Sequence, residues 1–241
     1  MPLIGLARRT RSTQPSGSAR INWSNVYTAG LRHAWLTYPP NNYLRCLVTG
    51  NIGIVTGAFT AFDAALGLQG TNTAVSFNYI ELPLSFTAIP PVTILNVNGV
   101  VSGEASWGVT NKAGIGLHGY ANVGSSAAYK VSSANGITVD GSILPTPVIA
   151  ESGTPLYATA MTFRAVNDFA AASGGGAVSN DTTCVAPTGN VTSGCIGSYL
   201  AAIYAKAPAS VYQHKLFAVW DLASPDATLV ELSRNPWQLF E

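Results

Sequence analysis

The side chains able to do chemistry are few and scattered in this chain of 241 residues. Retaining glycoside hydrolysis needs two carboxyls about 5–5.5 Å apart. On a strand that means acids at alternate positions, sharing one face. No such run exists: Glu81 and Glu104 are isolated, and Asp221, Asp226 and Glu231 are spaced by five. His33, His118 and His214 lie in no metal or triad motif, and no Gly-x-Ser-x-Gly or phosphate-cradling loop occurs. His214 reads as an ordinary half-buried tenant at the start of a strand. Cys46, Cys184 and Cys195 have no metal-ligand spacing. Cys46 reads as core. Cys184 and Cys195 flank a ten-residue segment that reads as a hairpin. They are open to pairing in an oxidising medium and expected as thiols in a cytosol. These residues point to no catalysis and no cofactor. Glycan binding is the chemistry left in play, through Trp35, Tyr38, Asn42, Tyr43 and Trp107, although core packing competes for each aromatic.

The elements that must position these groups are strands. Strand-like segments recur at Leu44–Val48, Ile52–Thr56, Ala74–Ile80, Val92–Val97, Ser106–Thr110, Gly114–His118, Ala127–Val131, Thr138–Asp140, Leu156–Val166, Tyr199–Tyr204 and His214–Trp220. Gly, Pro, Asn and Ser punctuate them, the pattern of a sandwich or barrel. Leu156 to Phe163 alternates large and small, as a half-buried strand does. Asn98-Gly99 and Asp140-Gly141 read as turns. Ala170–Gly176 reads as a flexible loop, continued by Ala177–Thr183.

The chain is 47% hydrophobic and only 10% charged, where about 25% charged is usual. Such a surface suits a protein largely covered by partners, or a neutral Ala/Ser/Gly/Thr surface. Arg8, Arg9, Arg11, Arg20, Arg32 and Arg45 all precede the first acid, Asp63. Residues 1–20 therefore read as an extended basic arm, with Arg8, Arg9 and Arg11 docking on an acidic protein surface in preference to nucleic acid. Residues 21–241 read as one domain. No secretory signal and no membrane-spanning run is recognisable.

The C-terminal segment is the most specific. A strand, Leu216-Phe217-Ala218-Val219-Trp220, runs into Ser224-Pro225-Asp226, which reads as a helix start with Ser224 as N-cap. A short helix with Leu229, Val230 and Leu232 follows, and Asn235-Pro236 stops it. The closing Trp237-Gln238-Leu239-Phe240 is too apolar to hang in water. This ending resembles that of a group of bacteriophage virion proteins with a concanavalin A-like (laminin-G-like) jelly roll. The resemblance lies in Ala218-Val219-Trp220-Asp221, Leu222-Ala223-Ser224, Leu232-Ser233 and Asn235 to Phe240. Near the start, Ile21-Asn22-Trp23-Ser24-Asn25 with Gly30-Leu31 looks like the family's opening motif, Val26 standing where a proline is common. Ile196-Gly197-Ser198 resembles the strand before the last core strand.

The resemblance implies an all-β, concanavalin A-like jelly-roll sandwich with an N-terminal arm and one short C-terminal helix. It further implies a non-enzymatic virion protein, made in the host bacterial cytoplasm, serving as a head decoration or tail-appendage component among other capsid or tail proteins. A homo-oligomer, with a trimer as the usual appendage state, is expected to hold Trp237 and Phe240 in a buried contact. The alternative is a host-recognition tail protein that binds a glycan. That superfamily's hydrolases carry a Glu-x-Asp-x-(x)-Glu strand, which this chain lacks.

Overall fold

The structure is a computed structural model that describes residues 15, 19–37, 44–56, 59–63, 67–72, 79–88, 91–110, 116–122, 125–131, 139–143, 156–187, 191–197 and 210–241. Its strands are β1 (Leu31–Thr37), β2 (Leu44–Cys46), β3 (Ile54–Thr56), β4 (Phe59–Asp63), β5 (Gly67–Asn72), β6 (Tyr79–Ala88), β7 (Val92–Ser102), β8 (Glu104–Thr110), β9 (Gly116–Asn122), β10 (Ser125–Val131), β11 (Val139–Ile143), β12 (Leu156–Ala165), β13 (Asp168–Ser173), β14 (Ser179–Asp181), β15 (Val191–Gly197) and β16 (Ser210–Trp220). The helix α1 (Asp226–Arg234) follows. Two antiparallel sheets stack face to face. One runs β14-β13-β12-β7-β16-β1-β2, with β5 also on β16 and β4 on β5; the other runs β11-β10-β9-β8-β15-β6-β3.

β16 is the spine of the larger sheet. β7 follows one edge from Val211 to Trp220, while β5 and β1 share the other, β5 up to His214 and β1 from Leu216. The register slips at the hand-over, between His214 and Leu216. Alternation then gives this sheet two apolar faces. Trp35, Ile94, Met161, Phe163, Phe217 and Val219 point between the sheets. Leu36, Leu95, Val97, Leu216, Ala218 and Trp220 point the other way, under α1 and the chain termini. A strand covered on both faces needs no polar side, which is why Leu216–Trp220 is wholly apolar.

That second core corrects two expectations. β12 is buried on both faces from Leu156 to Phe163, so its large–small alternation is not the mark of a half-buried strand. Tyr157, Met161 and Phe163 fill the space between the sheets, and Ala158 and Ala160 make room for the helix. Ala170–Ser173, expected in a flexible loop, forms most of β13, paired to β12 and buried. The alanines are there because α1 lies on β12 and β13. Small side chains let the helix axis approach, so the run is a packing surface.

Asn98-Gly99 sits within β7 and Asp140-Gly141 within β11, so neither is a turn. Ladder pairing on both sides of β7 overrides the local turn preference. Tyr199–Tyr204 lies outside the described residues. The helix begins one residue later than read, with Pro225 at the N-cap and no side-chain cap bond. Ser224 is instead buried, its hydroxyl accepting from Thr93 Oγ1 (3.1 Å) and its N–H donating to Thr162 Oγ1 (3.3 Å). Arg164 ties the same turn down, donating from Nε (3.1 Å) and Nη2 (3.0 Å) to Ser224 C=O and from Nη1 to Asp168 (3.1 Å), and pairing with Asp226. Ala170→Leu, which thrusts an isobutyl group under α1, is expected to lower stability by about 1–3 kcal/mol, read as a shift in the urea unfolding midpoint at unchanged slope.

Candidate functional site

Residues 20–25 meet the C-terminal segment. Ile21 forms an antiparallel bridge with Phe240. Arg20 and Glu241 exchange backbone hydrogen bonds (3.3 and 3.0 Å), and Asn22 N–H donates to Leu239 C=O (2.8 Å). Asn25 caps the 3-10 turn Val26–Thr28 through Tyr27 N–H (2.9 Å), while its amide Nδ2 donates to Gln238 C=O (2.9 Å). Trp220 Nε1 donates to Tyr27 C=O (2.9 Å), fixing that turn to the spine strand. Asn22, Asn25 and Gln238 were not singled out from sequence as working residues. Their signal was the Asn-x-x-Asn spacing around Trp23, which suits side chains that cap their own turn.

Trp237 and Phe240 are wholly buried in their own chain, beside Ile21, Trp220, Leu229 and Leu232. The expectation that they clamp a neighbouring subunit is therefore corrected: the aromatic ending covers its own sheet. The large side chains left outside on this clasp are Trp23, 60% exposed, and Val26, 71% exposed. Val26 edges a groove of about 250 Å³ formed with Tyr27, Ala29, Leu222, Pro225 and Thr228 over Trp220. Ligand clefts usually start near about 300 Å³, so the groove is small for a metabolite. Arg32 and Asp221 form an ion pair next to Leu222.

The other sequence candidates fall in two groups. Arg8, Arg9, Arg11, Tyr38, Asn42 and Tyr43 lie outside the described residues. Trp35 and Trp107 are buried between the sheets, so neither offers a face to a sugar; both fill the core instead. Trp35 stacks on His33 (centroids 4.7 Å apart, planes 4° apart) and tilts against Phe217.

The histidines are structural in geometry. His33 Nε2 accepts Ser85 N–H (3.2 Å), with Ser85 Oγ also at 3.2 Å, which leaves Nδ1 to face Cys46 Sγ at 3.6 Å. This Ser–His–Cys line joins β6 of one sheet to β1 and β2 of the other. It makes a poor nucleophile relay, because a backbone N–H occupies the basic nitrogen and burial, helped by Arg32, holds the imidazole pKa down at about 4. His214, expected half-buried, is fully buried. Burial draws its pKa down to about 3 against the opposing pull of the Leu216 backbone hydrogen bond. Burial also lifts the Cys195 thiol to about 12, with Glu81 adding to the rise. Cys46, Cys184 and Cys195 are buried and in no disulfide, and the Cys184 thiol donates to Ala165 C=O (3.7 Å). Cys195 lies in β15 between β6 and β8, whereas Cys184 C=O accepts from Asn167 at the β12–β13 turn (2.7 Å). The expected hairpin between them is thus corrected. Among the described residues, no three His, Cys, Asp or Glu side chains gather as a metal site requires, and no helix is long and apolar enough to cross a membrane.

No protein-family model and no curated protein matches this chain. Solved structures do. The binding domain of botulinum neurotoxin DC in complex with SialylT superposes with TM-score 0.62 at 8% identity, over 86% of this chain and 52% of that one. The same domain in complex with rat synaptotagmin II gives 0.61 at 8%, with 86% and 52% covered. Trypanosoma rangeli sialidase gives 0.55 at 11%, over 87% of this chain and 33% of that one. The fold is a concanavalin A-like jelly roll. This chain spans a third to about half of those neighbours, and identities this low speak to fold alone.

Two predictions follow from the site. Trp237→Ala, which opens a hole under α1 and the clasp, is expected to cost about 3–5 kcal/mol, while Trp23→Ala stays within about 0.5 kcal/mol; thermal and urea unfolding separate them. Both His33 and His214 have folded pKa values below the ordinary 6.5, so the unfolded chain takes up their protons first. Their contribution is complete above pH 6.5 and is lost as pH falls through about 4 and then 3. Urea titrations at stepped pH should show stability dropping below pH 6.5, with a shallower drop in His33→Gln.

Proposed function

We propose that this chain is a non-enzymatic structural protein of a bacteriophage virion: a head decoration or tail-appendage component held to the particle through its arginine-rich N-terminal arm. One observation carries the reading. The two stretches that resemble the virion proteins, Ile21–Asn25 and Asn235–Phe240, interlock through Asn22, Asn25, Ile21 and Phe240. Two resemblances far apart in sequence thus fall in one spatial unit, which supports the reading. In this reading the clasp seals the sandwich, and the arm, which enters it at Ala19 and Arg20, carries the attachment to other virion proteins. Trp23 and Val26 stand exposed beside that entry, where a particle surface would cover them. The protein is made in the host cytoplasm and assembles as a homo-oligomer, for which a trimer is the natural appendage symmetry.

A second reading is a glycan-binding host-recognition protein of the tail. It draws on the fold neighbours, a binding domain solved in complex with SialylT and with rat synaptotagmin II. With Trp35 and Trp107 buried, its sugar contacts would fall to Tyr38, Asn42 and Tyr43.

Deletion of residues 1–14, which removes Arg8, Arg9 and Arg11 and leaves the buried Pro15 and the clasp, is expected to reduce the copies on purified particles about tenfold or more, the effect of losing at least about 1.4 kcal/mol of anchoring. Quantitative blotting and electron microscopy of particles would read this. Full occupancy by the truncated protein would reject the arm as anchor, and absence of the intact protein from particles would reject the virion role. Binding of the purified domain to a glycan array, lost in Tyr43→Ala, would favour the second reading.

A further inference from the structure

The inner face of the larger sheet can be laid out in rows from its registers. One row reads Thr159, Asn96, Phe217, Trp35, Cys46 across β12, β7, β16, β1 and β2. The next begins Tyr157, Asn98, His214, and Thr37 adjoins His214 through its hydroxyl. Apolar rows flank them on one side: Met161, Ile94 and Val219. The middle of the interior is therefore polar. Asn96 Nδ2 donates to Asn98 Oδ1 (2.9 Å). Three atoms on these rows are buried without a hydrogen-bond partner, Asn96 Oδ1, Asn98 Nδ2 and His214 Nε2, and so are the indole Nε1 atoms of Trp35, on the same face, and of Trp107, from β8 on the facing sheet.

Their chemistry specifies what would satisfy them. Thr37 Oγ1 gives its single proton to His214 C=O (2.7 Å), so it accepts from His214 Nδ1–H (3.2 Å). That places the imidazole proton on Nδ1 and makes Nε2 an acceptor. The unpaired set is then three donor atoms (both indole nitrogens and one amide NH2, which carries two protons) and two acceptors (one amide oxygen and Nε2). Turning both amides over exchanges the atoms but leaves the same balance. An anion answers only the donors and a cation only the acceptors. Leaving all five unpaired would cost as much as a domain's entire stability.

We propose that the centre of the sandwich is a water-binding site, in which one or more internal waters bridge Asn96, Asn98 and His214 to the indole N–H groups of Trp35 and Trp107. Buried water takes two to four such partners and is a resident part of a fold. The polar rows then hold the two sheets together through water, where a dry interior would leave five orphaned atoms.

The test uses the intact wild-type protein, labelled with ¹⁵N, and water itself as the ligand. Nuclear Overhauser contacts between long-lived water and the Nε1–H of Trp35 and Trp107 are expected. None is expected at Trp220 Nε1–H, which is engaged by Tyr27 C=O. A high-resolution crystal structure should place water within hydrogen-bonding distance of Asn98 Nδ2 and His214 Nε2. Indoles of Trp35 and Trp107 as silent towards water as that of Trp220, with a dry interior in the crystal, would overturn the proposal.

Discussion

The central strand Ser210–Trp220 has no face it can turn to water. Its residues from Leu216 onward are apolar on both sides, so the sheet built around it must be covered twice. The second sheet covers one face. Among the described residues, the other is covered by the short helix α1, by Ala19 and Ile21, and by the C-terminal turn. Each remaining feature answers that demand. Alanines line β12 and β13 so that the helix can come close. Arg164 pins the helix start to the sheet through Ser224, Asp226 and Asp168. The terminal Trp-Gln-Leu-Phe turn lies down in the same apolar cluster as Trp220.

The same demand explains why charge is scarce. A sheet buried on both faces uses apolar residues at consecutive positions, and this spends much of the composition on interior. Several of the charged groups among the described residues are paired away from the two cores, as Arg32 with Asp221 and Arg234 with Glu231, whereas Lys215 is buried within the central strand. The neutral sequence is thus partly a consequence of two cores, and coverage by partners is not required to account for it.

Much of the architecture was readable. β8, β10 and β12 fall within a few residues of their sequence-based limits, because each is bounded by Gly, Ser, Asn or Pro and carries β-branched or aromatic residues. The docked C-terminus was readable from its apolarity alone, but which surface it docks on was not: self-burial and burial against a neighbour place the same side chains out of water. Ala170–Ser173 misled because alanine and serine are weak strand formers, and only the helix above them makes smallness useful. Asn98-Gly99 misled because a strong local turn signal yields to pairing on both sides. The alternation Leu95-Asn96-Val97-Asn98 did carry the warning that two amides share one face. Trp35 and Trp107 show the general difficulty with aromatic candidates, since a ring suited to stacking on a sugar is equally suited to filling a core.

The meeting of the two ends has an architectural consequence. Residues Arg20 and Glu241 are hydrogen-bonded neighbours through their backbones. A polypeptide can therefore enter and leave this sandwich at nearly one point, as domains inserted into the loops of larger proteins do. Such a module can be grafted into a host chain, or permuted to open elsewhere, without prising its scaffold apart.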